Sequence, residues 1–215
     1  ACVNRNQLIA GGLILVLLAV FGPALLRGAD DFDTPARAGA DSRLDVGYGE
    51  HPRQTYDVYT PATGDGPYPA VVWIHGGGWR IEGETIETAT ADVSAAVEHL
   101  RQAAPTFDID PERIGVYGFS AGGHLAAMVA QADLGIAAAV VAGAPTDFEP
   151  LVDPERSVFE ARATDEAAAV IRTLLGCPGG DCGDEIASLR PARLPAVDVA
   201  TRLVPGDEDT FVDVA

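Results

Sequence analysis

Two glycine-flanked elements carry the residue types that acyl transfer needs. Gly118-Phe119-Ser120-Ala121-Gly122 sets a serine between an apolar run at residues 114–117 and a helix-forming run that starts near Ala121. A strand, a tight turn and a helix in that order hold a serine in a strained conformation at a sheet edge, and the flanking glycines let neighbouring backbone pass closely. A helix starting directly behind Ser120 also aims its free N–H groups and positive dipole end at developing negative charge. The second element, His75-Gly76-Gly77-Gly78-Trp79, follows the apolar run 70–75. A glycine loop behind a buried strand can turn its amides inward, where such donors stabilise an alkoxide by several kcal/mol. Both elements in this order make Ser120 the expected nucleophile. Phosphate binding by the glycine loop is excluded, because no lysine follows it.

A serine hydroxyl is a weak nucleophile until a positioned base takes its proton. Of the four histidines, His51 falls in an early turn, His75 belongs to the glycine loop and His99 lies on a helix. His124 follows Ser120 by four residues on the next helix, so its ring is expected to point along that helix and away from the serine. None of the four is expected to act as base.

The elements that must position these groups alternate. Residues 54–59 read as an alternating strand and 70–75 as a parallel strand buried on both faces. Residues 88–103 have helical spacing of Ala, Val and Leu. Asp110-Pro-Glu-Arg113 is a turn feeding the strand at 114–117, and another apolar strand follows at 136–141. Helices are expected at 153–162 and 165–175 and a weak strand at 200–204. Strands alternating with helices predict an α/β fold, a three-layer α/β/α sandwich around a mostly parallel sheet.

Composition narrows the function classes. The 215 residues allow one domain with a full core and a leader. The net charge is −18 and every basic residue is an arginine. Such a surface repels phosphate backbones, which argues against nucleic-acid partners. Residues 8–26 carry no charge and lie between Arg5 and Arg27. A run of that length is expected to be a signal peptide or an N-terminal membrane anchor, which predicts an exported protein. The expected divisions are a leader at 1–28, a linker at 29–45 and the enzyme domain at 46–215. Cys177 and Cys182 flank Pro-Gly-Gly-Asp, a turn that brings two thiols within reach, so an exported chain is expected to join them. Two sulfurs without a nearby histidine are too few for zinc, and no metal or other cofactor is expected.

Tyr48-Gly49 with residues 54–59, the His-Gly-Gly-Gly-Trp loop, Asp110-Pro-Glu-Arg-Ile114 and residues 118–125 together resemble the hormone-sensitive-lipase-like α/β-hydrolases. Within that group they look most like small exported esterases and their feruloyl-esterase and formamidase relatives. The resemblance covers residues 45–209. It implies hydrolysis of a small-molecule carboxylic ester, with Gly76, Gly77 and the amide of Ala121 as oxyanion hole and Gly78 serving loop geometry. It also implies a triad acid in the run Gly206-Asp-Glu-Asp209-Thr-Phe-Val212, with Asp209 favoured over Asp207 or a plain solvated acidic loop. Two departures stand out. His75 and Ser120 are only 45 positions apart, too few for the strand and helix that relatives insert there. The family's catalytic histidine also lies further on than Asp209, where this sequence shows none. The first departure predicts that the sheet closes a gap or leaves the strand at 70–75 with a bare edge. The second leaves a non-catalytic, partner-binding protein of hydrolase fold as the alternative.

Overall fold

A computed structural model describes residues 14–18, 40–79, 85–146, 172–177, 188–191, 194 and 198–204. The described strands are β1 (Ile14–Leu18), β2 (Ala40–Gly47), β3 (Thr55–Pro61), β4 (Tyr68–Ile74), β5 (Ile109–Phe119), β6 (Ala138–Ala142) and β7 (Ala200–Val204). They form one sheet in the order β2-β3-β1-β4-β5-β6-β7. The run β1-β4-β5-β6-β7 is parallel, β3 joins it antiparallel to β1, and β2 pairs antiparallel with β3.

Helix α1 (Ile86–Gln102) begins two residues before the apolar spacing predicts, because Thr85 caps it. The Thr85 hydroxyl accepts from the Thr88 amide and the Thr88 hydroxyl accepts from the Thr85 amide. Such a reciprocal cap is worth about 1 kcal/mol. Ile86, Ala89, Val93, Ala96, Val97 and Leu100 recur at helical spacing and are buried. All but Ile86 pack into one core with Val72 and Ile74 of β4 and Ile114 and Val116 of β5, while Ile86 packs in the cluster around Met128. Helix α2 (Ala121–Ala130) is buried along its whole length. A helix apolar all round apart from His124 needs cover on every side, and Leu174, Leu175, Cys177 and Leu189 pack near Met128 on its outer flank. The opposite sheet face carries Trp73 edge-on to Tyr117, its register partner.

Three expectations meet the structure differently. Residues 40–45, read as linker, belong to β2, which is an edge strand. It pairs on one side only, and its Asp41, Arg43, Leu44 and Asp45 are exposed. No apolar alternation therefore marks it. The gap expected beside β4 neither closes nor stays bare, because Ile14–Leu18 occupies it. That strand lies inside the segment expected to be a leader, so one stretch of chain has two readings. The expected strand at 200–204 coincides with β7. The expected helix at 153–162 lies outside the described residues, and of that at 165–175 only Arg172–Leu174 is described as helical.

Candidate active site

The parallel strands β4 and β5 end side by side, Ile74 opposite Gly118, so whatever follows each must meet at that edge. Ser120 follows β5 and stands immediately before α2, with φ 55° and ψ −126°. A non-glycine residue rarely adopts such angles, and here packing on both sides imposes them. The Ser120 amide donates to the Ala142 carbonyl at the end of β6 (2.9 Å), and the Ser120 carbonyl accepts the His124 amide of the first turn of α2 (3.1 Å). The serine is half-buried, open enough to be reached.

The glycine loop lies against this turn. A Cβ added to Gly76 would stand 3.3 Å from the Ser120 Cβ and 2.9 Å from the Phe119 carbonyl oxygen. Gly77, Gly78 and Trp79 all have positive φ, 141°, 67° and 53°. Only a glycine-rich sequence makes such a run affordable. The His75 ring closes on its own loop, Nδ1 2.6 Å from the Gly76 carbonyl oxygen. Burial pushes the His75 pKa down, and the bond to Gly76 partly offsets that. A neutral ring that donates from Nδ1 holds the Gly76 carbonyl. The trans peptide then points the Gly77 N–H the opposite way.

His124 is fully buried. Its Nε2 lies 2.8 Å from the Leu189 carbonyl, and its ring stands edge-on to Trp79, centroids 5.5 Å apart. The ring therefore ties the glycine loop and α2 to the segment around Leu189. Desolvation lowers its pKa to about 4, with the Leu189 bond opposing. The unfolded chain, with an ordinary value near 6.5, binds this proton first as the pH falls. Stability is thus complete above about pH 6.5 and declines towards pH 4, by about 3 kcal/mol from this group. Urea denaturation at pH 7.5 and 4.5 checks this. The drop should be smaller in His124→Gln, and an identical drop in both proteins would refute the assignment.

The remaining histidines are engaged elsewhere. His99 on α1 bonds through Nδ1 to the Tyr56 hydroxyl (2.8 Å), whose pKa burial raises to about 12. His51 sits in the exposed turn before β3, where its Nδ1 accepts the Arg53 amide. The structure thus brings Gly76 and Ser120 together and leaves His51, His99 and His124 bound to other partners. Gly77 follows in the same loop, and Ala121 opens α2 directly behind the serine. Asp209 and Cys182 lie outside the described residues. Cys177 is buried and disulfide-bonded.

Phe119 was not anticipated. It is 56% exposed beside the serine, and Leu203 and Val204 of β7 are exposed at 62% and 41%. Phe119, the buried Ala142 and Val204 are register partners across β5, β6 and β7, so an apolar row runs from beside Ser120 along the carboxyl ends of these strands, exposed at its two ends. An isolated exposed apolar residue means little, whereas a row at the carboxyl ends of parallel strands is where ligands bind in open α/β sheets.

Comparison with known proteins agrees with this geometry. The BD-FAE family model matches residues 80–135, which take in α1, β5 and Ser120. An isoprenylcysteine alpha-carbonyl methylesterase of Arabidopsis thaliana is 29% identical over an alignment of 113 residues, covering 40% of this chain and 26% of that protein. A kynurenine formamidase of Salmo salar is 30% identical over 122 residues, covering 46% of this chain and 42% of the relative. The chain thus spans less than half the length of these curated relatives. Among solved structures, a truncated carbohydrate esterase from gut microbiota superposes with TM-score 0.64 at 19% identity, covering 82% of this chain and 80% of that one. Esterase B from Lactobacillus rhamnosis superposes with TM-score 0.60 at 22% identity, covering 77% and 66%. At those identities the superpositions speak for the fold alone. The sequence matches add a similarity to esterases and formamidases, and together with the superpositions they support an α/β-hydrolase fold of esterase type.

Proposed function

We propose that this site hydrolyses a small-molecule carboxylic ester through an acyl-enzyme on Ser120. The observation that carries the reading is the contact of the Gly76 loop with the strained Ser120 turn. Attack by the Ser120 oxygen on the ester carbonyl carbon builds an oxyanion, which the amides of Gly76, Gly77 and Ala121 would stabilise. The alcohol then leaves with a proton, and water cleaves the acyl-enzyme. The apolar row from Phe119 to Val204 suits an uncharged substrate. Asp209 is our choice for the triad acid, which would orient a base. Among the relatives, the name methylesterase supports an ester bond, and the name formamidase a related acyl bond.

One observation favours a second reading, a hydrolase fold that binds and does not catalyse: His51, His99 and His124 are all committed away from Ser120. A fluorophosphonate probe separates the two. Intact-mass analysis should show one adduct, formed slowly, on Ser120 and absent from Ser120→Ala. Labelling no faster than at other serines would leave the binding reading standing.

A further inference from the structure

We propose that residues 14–18 are a permanent strand of the folded domain, contributed by the same chain, and not part of a removable leader or a membrane anchor. The inference goes beyond the esterase reading and stands independently of it.

The argument begins with the slot. Strands β3 and β4 are consecutive and joined by the six residues 62–67, yet they are not hydrogen-bonded neighbours. Adjacent strands lie roughly 4.8 Å apart, so two strands separated by one position stand about 10 Å apart. An unoccupied position there would leave two rows of backbone N–H and C=O groups without partners in the middle of the sheet. Such groups are nearly always satisfied, and an open sheet edge invites foreign strands.

Residues 14–18 fill this position on both sides. Leu15, Val16, Leu17 and Leu18 pair antiparallel with Tyr59, Val58, Asp57 and Tyr56 of β3. Ile14 to Leu18 pair parallel with Ala70 to Ile74 of β4. The sequence Ile-Leu-Val-Leu-Leu is the continuous apolar type found in strands buried on both faces. Gly11, Gly12 and Pro23 within the uncharged run weaken it as a spanning helix. The parallel pairing also has a direction. Leu18 lies opposite Ile74, one residue before His75, so this strand ends at the sheet edge that carries the glycine loop. A segment cannot cross a bilayer, or be cut away, and also hold this position.

The test is a cysteine pair in the full chain. Leu17→Cys and Asp57→Cys are register partners, and Cys2→Ser removes the nearest competing thiol. Mild oxidation followed by trypsin should yield one disulfide-linked species joining peptides 6–27 and 54–80, from a chain that remains monomeric. The off-register pair Leu17→Cys with Thr60→Cys should give little of it. A covalent dimer would overturn the proposal by assigning the strand to a second copy. Recovery of a mature protein lacking peptide 6–27, or of a membrane-embedded chain, would overturn it in favour of the leader. Should the cysteine variants not fold, amide exchange of the unmodified chain decides. With the slot filled, residues 56–59 and 70–74 should exchange on the order of 100-fold more slowly than an unstructured peptide throughout. Fast exchange at alternate residues in both strands would mean an empty slot and refute the proposal.

Discussion

Gly122→Ala is expected to leave little or no folded protein. An added Cβ would stand 2.2 Å from the Ile74 carbonyl oxygen and 2.4 Å from that of His75. Neither oxygen can retreat cheaply, because β4 is paired with β1 on one side and β5 on the other up to Ile74. Gly118→Ala meets the same obstacle from the opposite side of the turn, 2.0 Å from the Gly122 carbonyl oxygen and 2.6 Å from the Gly123 amide nitrogen. Overpacking against backbone falls in the exceptional class of substitutions, with a loss of about 4 kcal/mol or more. Gly47→Ala is the control. Its Cβ would come no nearer than 4.0 Å to the Gln54 carbonyl oxygen, so its effect should stay within about 0.5 kcal/mol. Soluble yield and urea denaturation measure all three. A Gly122→Ala protein of unchanged stability would mean that α2 does not start against the end of β4.

The second large effect concerns rate. The 215-residue chain should hydrolyse 4-nitrophenyl acetate at roughly 10³–10⁴ times the rate in water, the residue of catalysis left by oxyanion donors and binding when a triad member does not act. The reason is the placement of the histidines. His124 is buried on the Leu189 carbonyl, His99 bonds Tyr56, His51 lies in an exposed turn, and His75 is closed on Gly76. Nucleophile and base work as a unit, so removing one where the other is idle costs little more. Without an acting base the Ser120 route adds little to this residual rate, so Ser120→Ala should lower it no more than about threefold, whereas the acyl-enzyme route proposed for the site needs a base at Ser120. Turnover of about 1 s⁻¹ or faster, abolished by that substitution, would show that a base does reach Ser120, and His124 would be the first group to re-examine.

The two predictions probe different layers of the molecule, and the layers differed in how far the sequence revealed them. The strand-turn-helix around Ser120 was legible because it is local: glycines at 118 and 122, an apolar run before and a continuous apolar helix after. The strands at 68–74 and 138–142 were legible for the same reason, each an apolar run bounded by turn residues, while that at 200–204, with Thr201 and Arg202, gave only a weak signal. The capped start of α1 was misjudged by two residues, since the apolar spacing does not register Thr85. Strand β2 was missed because an edge strand needs only one paired side and no apolar face.

What the sequence by itself determined is the order of elements, the two glycine turns, the acidic surface and the shortage of chain between His75 and Ser120. Only the tertiary structure decided that Gly76 lies against the serine turn, that His124 bonds Leu189, and that Ile14–Leu18 takes the place between β3 and β4. The physical reason is range. Turns and helices are specified by neighbours within a few residues, whereas an uncharged apolar run such as residues 8–26 suits a bilayer, a leader or, over five of its residues, a sheet interior. Its place is set by unpaired backbone groups about 40 to 60 residues further along the chain, which pattern within the run cannot reveal.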